Sequence, residues 1–243
     1  MRVDVALSPA DLARQDVAGR TVFVVDILRA TTTICAALHH GASAVIPCET
    51  PDEALAAARA AGPGVVLAGE RDCRRIPGFD LGNSPREMTP GAVRDRVIVL
   101  CTTNGTRVFT ALGGAAQVHA LAAANFSVTV ARARAAFEAT GDLFVACAGQ
   151  DGALGLDDTY AAGRFLRAVL AGRVRDRGLT DSALAAVHLA RRHGNRWERA
   201  LRMSQAGRRL IGVGLGEDVR MAARQDEFPV VATLQGHRIT AAD

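Results

Sequence analysis

Short runs of β-branched residues alternate with alanine-rich stretches of helical period through much of the chain, and this alternation narrows the folds open to it. Thr21 to Val25 is followed by Thr33 to His40, Ala44 to Ile46 by Pro51 to Ala61, and Val97 to Leu100 by Thr106 to Leu112, with a further run at Val65 to Ala68. Strand, helix and strand in succession make a βαβ unit, and repeated units build a mostly parallel sheet with helices on both faces. A three-layer α/β architecture is therefore expected. The composition agrees: 49% of the residues are apolar but only 4% are aromatic, so the core must be built from small and branched aliphatics, as close helix-on-sheet packing permits.

Local signals support the helices. Pro51 opens one with Asp52 and Glu53 in its first turn, where acidic groups complement the helix dipole, and Gly62-Pro63-Gly64 stops it. Further on, Asp142 to Ala146 reads as a strand, about Asp157 to Leu170 as a helix and Gly178 to Ala223 as helical, with Pro229 to Leu234 and His237 to Ile239 forming a closing hairpin. Met1 to Val5 reads as a short strand with a charge inside it. The connection between Gly69 and Val97, rich in Gly, Pro, Asp and Asn, reads as a loop too polar for the core, and a loop of that length in a compact domain is usually functional. The phrase Leu67-Ala68-Gly69-Glu70 echoes Cys147-Ala148-Gly149-Gln150, which hints at two related halves, about 1–115 and 116–243, within one domain spanning 1–243.

Several classes of function are disfavoured. The net charge is only +4, and the one dense basic stretch, Arg191 to Arg196, lacks the interleaved aromatics of a nucleic-acid stacking platform. Five cysteines without a Cys-x-x-Cys spacing fit a reducing compartment, and no apolar run reaches the length of a membrane span. A cytoplasmic protein binding no nucleic acid and no membrane is expected, with a homo-oligomer left open.

In parallel sheets ligands gather at the carboxyl ends of strands, and there the chemistry concentrates. After the strand ending at Val25 come Asp26, Arg29 and Thr31-Thr32-Thr33, which offer a metal ligand, a phosphate-gripping fork and hydroxyls opening a helix. A haloacid-dehalogenase reading needs a second Asp two residues beyond Asp26, and that position is Leu28. At another strand tip, Glu70 can share a hard cation with Asp26. The turn Cys101-Thr102-Thr103-Asn104-Gly105-Thr106-Arg107 is placed for an oxyanion and also carries the Cys-x5-Arg spacing of thiolate phosphatases, so a Cys101-dependent mechanism is the alternative to a metal-dependent one. Asp157 and Asp158 open a helix, either as dipole-complementing acids or as metal ligands. Ser204, Gly207, Gly214 and Asp218 read as structural punctuation.

Together, Val25 to Thr33, Gly69-Glu70-Arg71, Gly78 to Pro85, Thr102 to Thr106 and Cys147-Ala148-Gly149 with Asp158 resemble the 2-phosphosulfolactate phosphatase family, in order from about residue 20 to about residue 230. The resemblance implies a magnesium-dependent acid phosphatase that hydrolyses (2R)-2-phospho-3-sulfolactate to 3-sulfolactate and phosphate, a step of coenzyme M synthesis. Asp157 stands where a Glu is usual, and Asp72-Cys73 where a glycine-containing turn is usual. On this reading Asp26, Glu70 and Asp158 hold Mg2+, and Arg29, Thr31, Thr32, Thr103, Asn104 and Gly105 hold the phosphate. Arg71, Asn83 and Ser84 meet the sulfonate and carboxylate, and a metal-oriented water is the nucleophile. A non-catalytic sensor of small anions would use the same pocket without turnover.

Overall fold

Strand and helix alternate from the N-terminus in the computed structural model, which describes residues 1–171 and 178–242. The first part runs β1 (Arg2–Ala6), α1 (Pro9–Leu12), β2 (Thr21–Val25), α2 (Ala30–His39), β3 (Ala44–Cys48), α3 (Pro51–Ala61), β4 (Val66–Arg71) and β5 (Arg74–Arg75). Then come α4 (Pro90–Val93), β6 (Val97–Cys101), α5 (Gly105–Thr110), β7 (Gln117–Leu121), α6 (Phe126–Thr140) and β8 (Asp142–Cys147). The chain continues through α7 (Leu156–Val169), α8 (Asp181–His193), α9 (Trp197–Met203), α10 (Gln205–Gly212) and α11 (Gly216–Ala222), and ends with β9 (Val231–Gln235) and β10 (Arg238–Ala242). Pro51 stands at the first turn of α3, the hydroxyl of Thr50 accepts the Glu53 amide, and Gly62 closes the helix at φ 91°, as the stop signal requires.

The ten strands among the described residues form one sheet in the order β1-β8-β2-β7-β9-β10-β3-β6-β4-β5. β1, β8, β2 and β7 are parallel neighbours, and so are β3, β6 and β4. The C-terminal hairpin of β9 and β10 pairs antiparallel with β7 on one side and β3 on the other, so it joins the two parallel groups. Strands from 1–115 and from 116–243 are interleaved: β1 and β2 pair with β8, and β2 also with β7.

Burial shows how the groups are placed. Val22 and Val24 of β2, Val118 of β7 and Phe144 of β8 share one core with Val45, Val66, Ile98 and Leu100 of the other group, and with Ile34 and Leu38 of α2 and Val108 and Phe109 of α5. Both groups therefore turn a face to the same two helices, and the sheet wraps around them. The opposite face of β2, Phe23 and Val25, packs with α6 to α11, while Ile46 and Val99 pack against Ala54 of α3. Period-two alternation with both faces buried is what parallel strands need, and it makes the β-branched runs legible. The wrap also brings the carboxyl tips of β2, β4 and β6 together, although four strands separate β2 from β6 in the sheet order.

Two features depart from the sequence reading. β7 and α6 fall outside the runs picked out above, since Gln117-Val118-His119-Ala120-Leu121 holds a single β-branched residue, Val118; His119 is nevertheless buried, hydrogen-bonded to the Thr233 hydroxyl at 2.9 Å and stacked on Phe23. The connection after Gly69 is not excluded from the core, since Ile76, Phe79, Met88 and Val93 are buried. Its turns are polar, but its apolar residues anchor it against the sheet.

Candidate active site

A cleft open to solvent lies where these tips converge, lined among others by Asp26, Arg29, Glu70, Asn83, Thr103 and Asn104. Asp26 follows the last residue of β2, and its Oδ1 accepts the Ala30 amide at 3.1 Å, which tethers the start of α2 to the strand tip. Its Oδ2 faces Gly105 so closely that a Cβ there would lie 2.4 Å from it and 2.6 Å from the Cβ of Ala30. Gly105 is required for this contact between the β2 and β6 tips, and its part is to let the two loops touch.

Glu70, near the end of β4, binds the next loop directly. Its Oε1 accepts the amide and hydroxyl of Thr103 at 2.9 and 3.0 Å, and its Oε2 accepts the Cys73 amide at 2.9 Å. Burial pushes the Asp26 carboxyl up to about 7; Asp157 and Glu70 add to the rise, while the Ala30 amide and Arg29 oppose it. Burial likewise pushes Asp157 up to about 6 and Asp158 well above the carboxylate range. A buried set of acids with raised pKa values marks a place where positive charge would be welcome.

Arg29 is only 4% exposed and is held by a carboxylate that is fully buried: its Nη1 donates to Asp218 Oδ2 at 2.7 Å. The other oxygen of Asp218 accepts the Ser84 hydroxyl at 2.8 Å, so one carboxylate from α11 fixes the guanidinium and the Asn83-Ser84 turn together. Arg29 makes no other side-chain hydrogen bond among the described residues, which leaves its remaining N–H groups for the cleft it lines. Asn83 is 4% exposed, and its Oδ1 is buried without a partner among the described residues.

A family model described as 2-phosphosulpholactate phosphatase matches residues 6–237. The chain belongs to the 2-phosphosulfolactate phosphatase family. Relatives bearing the name probable 2-phosphosulfolactate phosphatase include one from Deinococcus radiodurans, 42% identical over 96% of this chain and 93% of its own length. Others come from Thermus thermophilus, 38% identical over 97% and 95%, and Thermotoga petrophila, 36% identical over 96% and 95%.

In this family member several residues singled out from sequence are turned to other uses. The Thr31 and Thr32 hydroxyls donate to the carbonyls of Asp26 and Ile27 at 2.8 and 2.9 Å, which shapes the loop from within and keeps both outside the cleft lining. Asp158 accepts the amides of Ile27 and Gly149 at 2.9 and 3.0 Å, tying the tip of β8 to that of β2. Arg71 points away from the cleft, donating to the Glu49 carbonyl and to Cys101 Sγ at 3.2 Å. Asp218, read as punctuation, is the partner of Arg29, and no local pattern could have revealed it because 189 residues separate the two.

The thiolate alternative does not hold. Cys101 is buried beside Ile46, Cys48 and Val99 on the far face of the sheet, and it does not line the cleft. Burial raises its thiol pKa against the pull of Arg71, and Arg107 lies at a separate hollow with Pro9 and Leu12. A nucleophilic cysteine needs a depressed pKa and access to substrate. Cys101→Ser is accordingly expected to keep kcat close to the parent's, because the thiol does not line the cleft and the hydroxyl is nearly its size; a dead enzyme that still melts like the parent would reinstate the thiol.

Proposed function

We propose that this chain is a magnesium-dependent phosphatase that hydrolyses (2R)-2-phospho-3-sulfolactate to 3-sulfolactate and phosphate. The observation that carries the reading is the meeting, in one cleft, of two carboxylates from different strands with an arginine anchored by a buried acid. In the reaction the oxygen of water bonds to phosphorus as the bond from phosphorus to the ester oxygen breaks, and that oxygen leaves with a proton.

Magnesium asks for oxygen ligands and takes one or two carboxylates together with waters and phosphate oxygens. The residues fit that demand. No group of three or more acidic, His or Cys side chains able to hold a metal is assembled among the described residues, so the cleft offers no all-protein cage. It does offer Asp26 and Glu70, and Asp26 Oδ2 accepts no hydrogen bond among the described residues. These two would hold the ion, which when bound would offset negative charge on the phosphoryl oxygens.

The chain's own residues supply the rest. Arg29 presents its free N–H groups to the phosphate from a position fixed by Asp218, so its orientation costs nothing at the moment of reaction. Glu70 holds the Thr103 amide and hydroxyl, which fixes the Thr103-Asn104 turn in the lining of the cleft that the anion would enter. The free thiols support the cytoplasm as its setting, and no helix among the described residues is long and apolar enough to cross a membrane.

Phosphate release from a panel of phosphorylated hydroxy acids, with magnesium and with chelator, tests the reading. Release that requires the ion and is fastest on the sulfonate-bearing ester is the expected result. Release undiminished by chelator would remove magnesium from the account, and no release from any ester would leave a sensor of small anions.

A further inference from the structure

Among the described residues lining the cleft, the cationic side chains are Arg29 and Arg209. They are held in opposite ways. Arg29 is clamped by a buried acid, whereas the Arg209 side chain is 39% exposed and is paired at 2.7 Å with Asp72, whose side chain is 86% exposed. An ion pair that open to water is worth at most about 1 kcal/mol, so a ligand anion can replace Asp72 at little cost. Arg29 has no such freedom.

The positions of both partners are set by the fold. Arg209 sits on α10, whose start is capped by the Ser204 hydroxyl accepting the Gly207 amide at 2.9 Å, and whose Ala206 and Leu210 also line the cleft. Asp72 is the first of two turn residues joining β4 to β5, and it and Cys73 adopt φ of 54° and 64°. Cys73, next to Asp72 in that turn, lines the same cleft as both cations. Both guanidinium groups therefore belong to the lining of one cleft. The remaining charged lining groups, Asp26, Glu70 and Asp72, are acidic. A ligand with an anion at each end would find its phosphate partner in Arg29 and only Arg209 for the other end, since Arg71 faces the Glu49 carbonyl and Cys101.

We infer that Arg209 is the specificity-determining residue of this phosphatase, leaving Asp72 to grip the oxyanion that the substrate carries away from its phosphate, so that esters with a second anionic group are preferred over esters with a neutral tail. The inference rests on the phosphatase reading above and adds to it the residue that selects the substrate class.

The test compares kcat/KM of the parent, Arg209→Gln and Arg209→Lys on three esters: 2-phospho-3-sulfolactate, 2-phospholactate and glycerol 2-phosphate. The Gln variant should lower the preference for 2-phospho-3-sulfolactate over glycerol 2-phosphate roughly 10- to 100-fold, the span expected for a lost hydrogen bond between charged groups, with the change in KM rather than kcat, and Lys should restore part of it. A matching fall on 2-phospholactate identifies the carboxylate as the group gripped, and an undisturbed 2-phospholactate identifies the sulfonate; either supports the inference. Equal losses on all three esters, or none on any, overturn it. Sulfolactate binding by calorimetry keeps the two readings apart. A parent that binds sulfolactate through Arg209 but releases no phosphate ends the phosphatase reading alone, whereas binding indifferent to Arg209→Gln ends this inference.

Discussion

Asp26→Asn should lower kcat by at least roughly 10²- to 10³-fold, the cost of removing one preorganised electrostatic group, while the fold survives and in magnesium-free buffer becomes more stable above neutral pH. The two halves of this expectation have one cause. Burial holds the Asp26 carboxyl at about 7 against an ordinary 3.8, so the native state keeps a proton that the unfolded chain has already released. Between those values the native chain binds more protons than the unfolded one, and its stability falls as pH rises. Asn carries no charge and escapes that fall, so its advantage over the parent should grow as pH rises from 4 to above 7. Thermal melts from pH 4 to pH 8 read this directly. Magnesium should raise the melting temperature of the parent by compensating the charge of the buried carboxylate and should leave the variant nearly unmoved, because ligand stabilisation requires a site. An Asp26→Asn enzyme that turns over normally with magnesium would end the metal-carboxylate proposal.

The sequence carries the strand-tip motifs but says less about which side chains at a tip face outward. Asp26, Arg29, Glu70, Thr103 and Asn104 are legible because each lies at or just beyond the end of an apolar strand run, and parallel strands present their carboxyl ends at one edge, whereas Asn83 is legible only from the polar loop that carries it. Thr31, Thr32 and Asp158 sit in the same phrases yet serve the loops from inside, a distinction set by rotamers and neighbouring carbonyls that spacing does not encode. Arg71 and Cys101 fail together for a period-two reason. Glu70 and Arg71 are consecutive on β4, so when Glu70 faces the cleft Arg71 faces the other side, where Cys101 lies. Asp218 and Arg209 were beyond reach for another reason: they come from helices that meet the cleft only after the sheet has wrapped around α2 and α5. The parallel groups were legible, but their closure by the β9–β10 hairpin was not, since a hairpin's sequence does not name its outer partners.

Asp218 gives the second large effect, and a double substitution separates its part in stability from its part in chemistry. Asp218→Leu leaves Arg29 charged and buried without its counter-ion and the Ser84 hydroxyl without its acceptor. Breaking a buried pair from one side costs about 3–5 kcal/mol, because the surviving charge stays desolvated. Arg29→Met, made alone, should cost a similar amount by stranding the Asp218 carboxylate, which has no exposed surface. Replacing both at once removes both charges, and the chain should recover most of the lost stability, since apolar substitutes for a buried pair are often neutral or better. Activity should follow a different course. The double variant has no guanidinium to offer the phosphate, so its kcat/KM should stay at least roughly 10²-fold below the parent, whatever its melting temperature. Urea melts and phosphate release on the four members of this cycle would show the two quantities parting. If the double variant regains activity along with stability, Arg29 is a structural cation and the phosphate must be held by the Thr103-Asn104 turn alone.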